Sequence, residues 1–164
     1  MNPKETKIVE DAIAIVENLQ AQVGNILKRG PFATKFFATE AKASYQSDAI
    51  KKTLVSDVLP ALLDLIKRGK PALKDLGDLE KEGSTKRLAS YADIKAFRAK
   101  AAKLLESSKV LEGSSLKFTM SIAKMTGSDG LYPGMSDVEV KTTITSVENF
   151  AKYYNAFRIA LAKG

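Results

Sequence analysis

The clearest pattern of hydrophobic and polar positions lies in residues 48–70, DAIKKTLVSDVLPALLDLIKRGK. Apolar residues recur there with the i, i+3 or i+4, i+7 spacing of an amphipathic helix, at Ile50, Leu54, Val58, Ala61, Leu62, Leu65 and Ile66. Val55, Leu59 and Leu63 widen the apolar face. The pattern therefore predicts that this helix is the most buried one in the molecule.

Pro60 lies inside this predicted helix. Proline has no amide hydrogen, and its ring crowds the carbonyl four residues earlier, here that of Ser56. We therefore predict a kink near Ser56–Pro60. The alternative is that the helix breaks and restarts at Pro60 as a first-turn residue, with Asp57 or Ser56 as its N-cap. The helix is predicted to end in the basic run KRGK (67–70), before a connector over residues 71–83 with two helical turns.

Three further stretches have helical periodicity. The first runs from Lys4 to Lys28, and Gly30-Pro31 are predicted to stop it. Another spans Lys86–Leu111. The last spans Asp137–Ala162, and Ser136, with Glu139 three residues later, is its predicted N-cap.

Two stretches leave alternatives open. Residues 32–47, FATKFFATEAKASYQS, carry an aromatic face that we expect to join the core. They form either a separate short helix or the first turns of the next one, and we favour the second because no glycine or proline separates them from Asp48. In residues 112–136, the alternation in LKFTMSIAKM fits a strand, whereas the spacing of Phe118, Ile122 and Met125 fits a helix. We favour a helix, since an isolated strand would have no partner in this chain.

These elements predict an all-α fold, with residues 1–164 as a single helical-bundle domain. Four long amphipathic segments with short or medium connections suggest an up-down-up-down four-helix bundle, with a proline-kinked second helix and an irregular connector before the last helix. No apolar run approaches the roughly 18–20 residues needed to cross a bilayer. The first residues lack the apolar region of a signal peptide. Either the protein stays where it is made, or a targeting segment has been removed.

The chain contains no cysteine and no histidine, which restricts its chemistry. Disulfides, thiolate and imidazole metal ligands, and cysteine- or histidine-based catalysis are excluded. An enzyme would have to work through carboxylates, lysine or tyrosine. No phosphate-binding Gly-Lys-Ser/Thr loop and no GxGxxG motif is present, and SDGLYPGMSD (128–137) lacks the oxygen spacing of a calcium-binding EF-hand loop. We predict no catalytic residue, no cofactor and no metal site.

The net charge of +7 is concentrated in the middle of the chain, because residues 31–111 hold 16 of the 26 Lys and Arg but 10 of the 19 Asp and Glu. In an up-down bundle, the end of the second helix lies beside the starts of the first and third. The run 67–70 would then meet Lys4 and Lys7 at one pole. On the third helix, basic residues spaced by eleven positions would form a ridge. The predicted partner-binding residues are Lys67, Arg68, Lys70, Lys86, Arg87, Arg98 and Lys109.

Such a surface suits an acidic protein partner, nucleic acid or an anionic membrane. The alternative is an ordinary lysine-rich surface, in which cations simply favour helix C-termini. Nucleic acid is less favoured, because basic residues alternate with acidic ones and no helix-turn-helix or aromatic RNA platform is visible. For membranes, no single segment looks like an interfacial anchor, so contact with a bilayer is at most peripheral.

The last helix carries Lys152-Tyr153-Tyr154, followed by Leu161-Ala162-Lys163-Gly164. This pattern is similar to the closing helix of PsbQ-like extrinsic subunits of photosystem II, and Asp57-Val58-Leu59-Pro60 looks compatible with the second helix of their algal relatives. The resemblance implies a basic four-helix bundle without catalytic residues that docks on the lumenal face of photosystem II and supports the oxygen-evolving centre. It implies structural roles for Tyr153 and Tyr154. The chain lacks the long proline-rich N-terminal arm of the plant proteins, so their docking contacts do not carry over.

We therefore expect a non-enzymatic accessory subunit that docks electrostatically on a larger assembly. The resemblance implies that this assembly is the photosystem II core or its other extrinsic subunits, in the chloroplast thylakoid lumen after removal of a targeting peptide. One alternative is a basic helical module that binds nucleic acid or another anion. Another is a helical bundle that holds a small ligand or lipid where Pro60 bends the second helix.

Overall fold

A computed structural model describes residues 3–85, 91–126 and 137–162, and these residues are almost entirely helical, with no strand among them. The elements are α1 (Pro3–Ala41), α2 (Asp48–Thr53), a π-helical turn (Leu54–Val58), α3 (Leu59–Thr85), α4 (Tyr91–Ser107), α5 (Lys109–Thr126) and α6 (Val138–Ala162). Because α2, the π turn and α3 follow one another without a break, the described residues form five helices. The all-α prediction is confirmed, but the predicted count of four helices is not.

The first helix does not stop at Gly30-Pro31 as predicted but continues to Ala41. Gly30 is buried, and a Cβ atom added to it would lie 3.0 Å from Cδ1 of Ile66, so α1 and α3 approach closely there. Beyond the proline, Ala33 and Phe37 are fully buried. The burial of this extra segment offsets the hydrogen bond that Pro31 removes from the helix.

The predicted near-continuity of residues 32–47 with Asp48 is also wrong. The chain leaves helical geometry after Ala41 and turns over residues 42–47. The carboxylate of Glu40 holds this turn by accepting hydrogen bonds from the Tyr45 hydroxyl and from Nε2 of Gln46, all at 2.7 Å. The hydroxyl of Ser47 then caps α2 by accepting from the amide of Ile50. Side chains bonding to nearby groups thus stabilise a turn that contains neither glycine nor proline.

Residues 48–70 supply much of the core, since Leu54, Val58, Leu62 and Leu65 are fully buried, but Val55 and Leu63, predicted to widen the apolar face, are more than half exposed. The helix neither ends nor restarts at Pro60. Instead the π turn ends just before it, and the amide of Leu59 donates to the carbonyl of Leu54, five residues back. In a regular α-helix the ring of Pro60 would crowd the carbonyl of Ser56, and the wider turn lies at that point.

The predicted end of this helix at Lys70 is wrong, and the predicted connector 71–83 is part of α3. The helix runs through Pro71, which is exposed. Beyond it, Ala72, Leu76 and Leu79 are buried at intervals of three or four residues. As at Pro31, packing of an apolar face outweighs the local preference of proline for ending a helix.

The predicted third helix is divided in two, because α4 ends at Ser107 and α5 begins at Lys109. The segment that could have been helix or strand is helical up to Thr126, which confirms the preferred alternative as far as that residue. Residues 127–136, with the predicted cap Ser136, lie outside the described residues. The carboxylate of Asp137 caps α6 by accepting from the amides of Glu139 and Val140.

The first two long helices, α1 and α3, run in opposite directions. In α3, Gly69 packs against Leu27 of α1 and Gly83 against Ile13, so the two helices are antiparallel. Both α4 and α5 pack against α3 and α6. Buried residues from α1, the π turn and α3 to α6 form one continuous apolar cluster. Among the described helices, none combines the length and apolar character that a bilayer crossing requires.

Tyr154 joins α6 to α4 and offers a direct test of this packing. Its hydroxyl donates to the carbonyl of Leu105 at 2.5 Å. Burial, and next the negative charge of Glu112, raise the pKa of Tyr154 above its usual range. We expect Tyr154→Phe to lower the free energy of unfolding by about 1 kcal/mol at neutral pH, measured by urea denaturation.

The pH dependence of this difference has a defined sign. Because the folded state holds the phenol of Tyr154 protonated, its contribution is fully present below the unfolded pKa of about 10 and is lost as pH rises through the higher folded value. The gap between wild type and Tyr154→Phe should therefore narrow in alkaline solution. Tyr153→Phe is the control on the same helix and should leave the free energy of unfolding at neutral pH unchanged. A gap between wild type and Tyr154→Phe that stays the same at high pH would contradict the prediction for Tyr154.

Candidate functional site

Of the seven residues predicted to bind a partner, the structure describes five, and these lie on three helices. Lys67, Arg68 and Lys70 are exposed in the middle of α3, and Lys109 is exposed at the start of α5. Lys86 and Arg87 lie outside the described residues. Arg98 lies on α4, where its Nη2 donates to the carbonyl of Leu161 at 2.7 Å.

Arg98 has a structural contact rather than a free charge. A cation at the last carbonyls of a helix satisfies an acceptor that has no partner within the helix and complements the helix dipole. The basic ridge predicted along one helix is wrong, because Arg98 and Lys109 belong to different helices that meet at Ser108.

The basic run 67–70 does not reach the pole that holds Lys4 and Lys7. Gly69 packs against Val23 and Leu27 in the middle of α1. Lys70 is 15 residues before the end of α3 at Thr85, which is about 22 Å along the axis. The predicted gathering at one pole fails because α3 continues through Pro71, and any docking role of this run stays a prediction.

Instead, the structure connects this part of α3 to α5 through Asp64. One carboxylate oxygen accepts from Nε of Arg68 at 2.8 Å, and the other accepts from the hydroxyl of Ser114 at 2.6 Å. Partial burial raises the pKa of Asp64, but the two hydrogen bonds and the charges of Arg68 and Lys67 together outweigh burial and lower it. The basic run is thereby fixed beside the exposed side of α5.

The exposed side of α5 carries a row of cationic and apolar residues that we call the α5 stripe. At 100° per residue, its members fall within about a quarter to a third of the helix circumference. All of them are exposed, and they are Lys109, Gly113, Leu116, Lys117, Met120 and Lys124.

Both the charges and the apolar groups of the α5 stripe face solvent. Leu116 is 46% exposed and Met120 is 71% exposed. The ion pairs found among the described residues are Arg29–Glu139, Arg68–Asp64 and Lys100–Glu82, and none of them includes a lysine of the stripe. Exposed apolar side chains among unpaired cations are typical of a surface that meets another molecule.

A groove of about 600 Å³ lies along the stripe, between α5 and the π turn, and we call it the α5–π groove. Its walls carry two lysines and a single carboxylate, that of Asp57 in the π turn. The lining residues are Asp57, Gly113, Leu116, Lys117, Met120, Ser121 and Lys124. A Cβ atom added to Gly113 would meet no heavy atom within 4 Å, so the groove is open at that point.

Two further grooves among the described residues are smaller and differ in chemistry. Between α3 and α4, a groove of about 250 Å³ is lined by Asp75, Asp78, Lys100 and Lys103, so its charges balance. Between α1 and α6, a groove of about 350 Å³ is lined by amide and hydroxyl side chains and by Lys141. Within the part of the chain that the structure describes, no three acidic side chains are grouped so as to hold a metal ion.

Comparison of the chain with protein-family models, curated proteins and solved structures finds no significant match of any of the three kinds. The α5 stripe is therefore the candidate site on its geometry and charge alone. Of the residues in the α5 stripe, only Lys109 is among those predicted from the sequence to bind a partner. Lys109, Lys117 and Lys124 are separated by eight and seven residues, which is the spacing of one helix face, and this signal could have revealed it.

Proposed function

We propose that this chain is a non-enzymatic accessory subunit that docks on an acidic surface of a larger assembly. The observation that carries the proposal is the α5 stripe, in which three lysines that have no ion pair among the described residues flank the exposed side chains of Leu116 and Met120. The lysines would steer the approach and set the orientation. The apolar side chains would supply the burial that slows dissociation.

We further propose photosystem II as that assembly and the thylakoid lumen as the compartment. The support is the resemblance of the last helix to PsbQ-like extrinsic subunits, together with the order and packing of the helices. Only Ser108 separates α4 from α5, and both pack against α3 and α6, so the five helices can be grouped into four columns. On this proposal Tyr154 keeps a structural role, which agrees with its hydrogen bond to Leu105.

The experiment is rebinding to salt-washed photosystem II membranes, with oxygen evolution as the functional readout. We expect the wild-type chain to rebind at low ionic strength and to restore activity. The variant Lys109→Glu/Lys117→Glu/Lys124→Glu should bind about 10- to 100-fold more weakly, because each reversed charge removes roughly 0.5–1 kcal/mol of attraction. Failure of the wild-type chain to rebind or to restore oxygen evolution would reject photosystem II as the assembly.

The control variant is Lys7→Glu/Lys35→Glu/Lys152→Glu, which makes the same change in net charge at exposed positions on α1 and α6. It should retain binding within about threefold, since these exposed charges are screened over a Debye length. Equal losses in the two triple variants would show that net charge alone governs binding, and the α5 stripe would then have no specific role.

A further inference from the structure

The α5–π groove identifies the chemistry of the partner more narrowly than charge alone. We propose that it receives an acidic amphipathic helix of the partner protein, with apolar residues of that helix on Leu116 and Met120 and its carboxylates on Lys117 and Lys124. This inference rests on the proposed docking function and specifies the segment that docks.

The dimensions of the site suit a helix. The stripe extends from Lys109 to Lys124, about 22 Å at 1.5 Å per residue, which is the length of a helix of roughly 15 residues. A helix that lies in a groove uses apolar anchors at i, i+3 or i+4 and i+7. The long flexible side chain of Met120, 71% exposed, can adjust to such anchors. The described residues contain no strand edge that an extended peptide could join.

The charges favour an acidic helix over an anionic membrane. Lys117 and Lys124 line the groove and Lys109 continues the stripe beyond it, so acidic side chains of a partner would meet three cations to which the described residues give no ion pair. Asp57 lies in the same groove. A bilayer surface covered with phosphate groups would place negative charge against the carboxylate of Asp57. A helix can instead place a basic residue or its positive N-terminal end at that position.

The π turn explains how Asp57 comes to line the groove. The turn occupies Leu54–Val58, directly before Pro60, and Asp57 is its fourth residue. A π turn adds one residue to the helical repeat and so changes the direction of the side chains around it. Asp57 is half-buried on the wall opposite Lys117 and Lys124. It therefore favours a basic residue, or the N-terminal end, of the docked helix at that position.

The test uses a synthetic helical peptide of about 16 residues, with leucine at i, i+3 or i+4 and i+7 and glutamate on both flanks, labelled for fluorescence anisotropy. A second peptide has the same composition in scrambled order. We expect the wild-type chain to bind the amphipathic peptide at least about tenfold more tightly than the scrambled one. Equal binding of the two peptides would overturn the helix-in-groove proposal while leaving electrostatic docking intact.

The matched variants are Gly113→Trp and Gly24→Trp. Both glycines lie in helices where an added Cβ meets no heavy atom within 4 Å, so a side chain can leave the backbone there without a clash at its first atom. Only Gly113 lines the groove. Gly113→Trp should weaken peptide binding by about tenfold or more, and Gly24→Trp by less than about twofold. Because the chain has no tryptophan of its own, the new side chain also reports peptide binding through its own emission.

A second variant, Leu116→Ser/Met120→Ser, removes the apolar contacts without filling the groove, and circular dichroism would establish that each variant is folded. It should also lose about tenfold in affinity, since two partly exposed apolar side chains are shortened. Unchanged affinity in both Gly113→Trp and Leu116→Ser/Met120→Ser would reject the groove as the binding site.

Two further measurements test the other possible occupants of the α5–π groove, a membrane surface and a second copy of the chain. If vesicles containing phosphatidylglycerol bind the wild-type chain and lose binding to Gly113→Trp while the peptide does not bind, the site is a membrane surface and the proposal is wrong. If sedimentation shows a dimer that Gly113→Trp dissociates, the occupant is a second copy of the chain. Peptide binding without rebinding to photosystem II membranes would support the groove and reject only the proposed assembly.

Discussion

Phe37→Ala is expected to lower the free energy of unfolding by about 3–5 kcal/mol, the usual loss for a phenylalanine removed from a core. The side chain is fully buried. Its ring meets that of Phe118 edge to face, with centroids 6.1 Å apart and an angle of 74° between the planes. A similar contact at 5.4 Å joins it to Phe36. The substitution therefore leaves a cavity and removes contacts between α1 and α5.

Phe32→Ala is the matched control, because it makes the same chemical change five residues earlier on the same helix. Phe32 is 62% exposed, so we expect its loss to change stability by no more than about 0.5 kcal/mol. Urea denaturation followed by far-ultraviolet circular dichroism measures both. Equal losses in the two variants would mean that the aromatic segment packs as a whole, contrary to the course of α1 through Ala41.

Pro31→Ala is expected to raise the free energy of unfolding by about 1–2 kcal/mol. Proline inside a helix is roughly 3 kcal/mol less favourable than alanine, and the substitution allows an amide at position 31 to donate to the carbonyl of Leu27. About 1 kcal/mol of this gain is offset, because the unfolded chain recovers the freedom that proline removes. Pro31 is exposed, so its replacement leaves no cavity.

Pro3→Ala provides the control for this substitution. Pro3 is the first residue of α1, where an amide hydrogen would have no helical partner and proline is well tolerated. Its replacement should therefore give no gain, and thermal unfolding would measure both variants. A loss of stability in Pro31→Ala would indicate that the helix ends before Gly30-Pro31, as the sequence pattern alone predicts.

Much of the α5 stripe could have been found from the sequence, but its exposure could not. The alternation of apolar residues in LKFTMSIAKM groups Leu116, Phe118, Met120 and Ile122 on one face if the segment is a strand. In the helix that forms, Phe118 and Ile122 are buried whereas Leu116 and Met120 are exposed. Successive residues turn by 100° rather than 180°, so the same four residues are divided between the core and the candidate docking surface.

The spacing of apolar residues is enough to predict that the chain is helical and which face of most segments is buried. That information is local, because each segment by itself shows the 3.6-residue period of apolar positions. It also identified residues 48–66 as a principal source of the core, and the full burial of Leu54, Val58, Leu62 and Leu65 agrees with this.

The ends of the helices depend on tertiary contacts. The positions of the charges depend on these contacts too, because they follow from where each helix ends. Gly30-Pro31 and Lys70-Pro71 are strong local stop signals, yet α1 and α3 pass through both. The penalty for proline is a local term of about 3 kcal/mol. The apolar side chains beyond each proline contribute more than that when neighbouring helices bury them. Because those contacts join residues far apart in the chain, no window of sequence contains them.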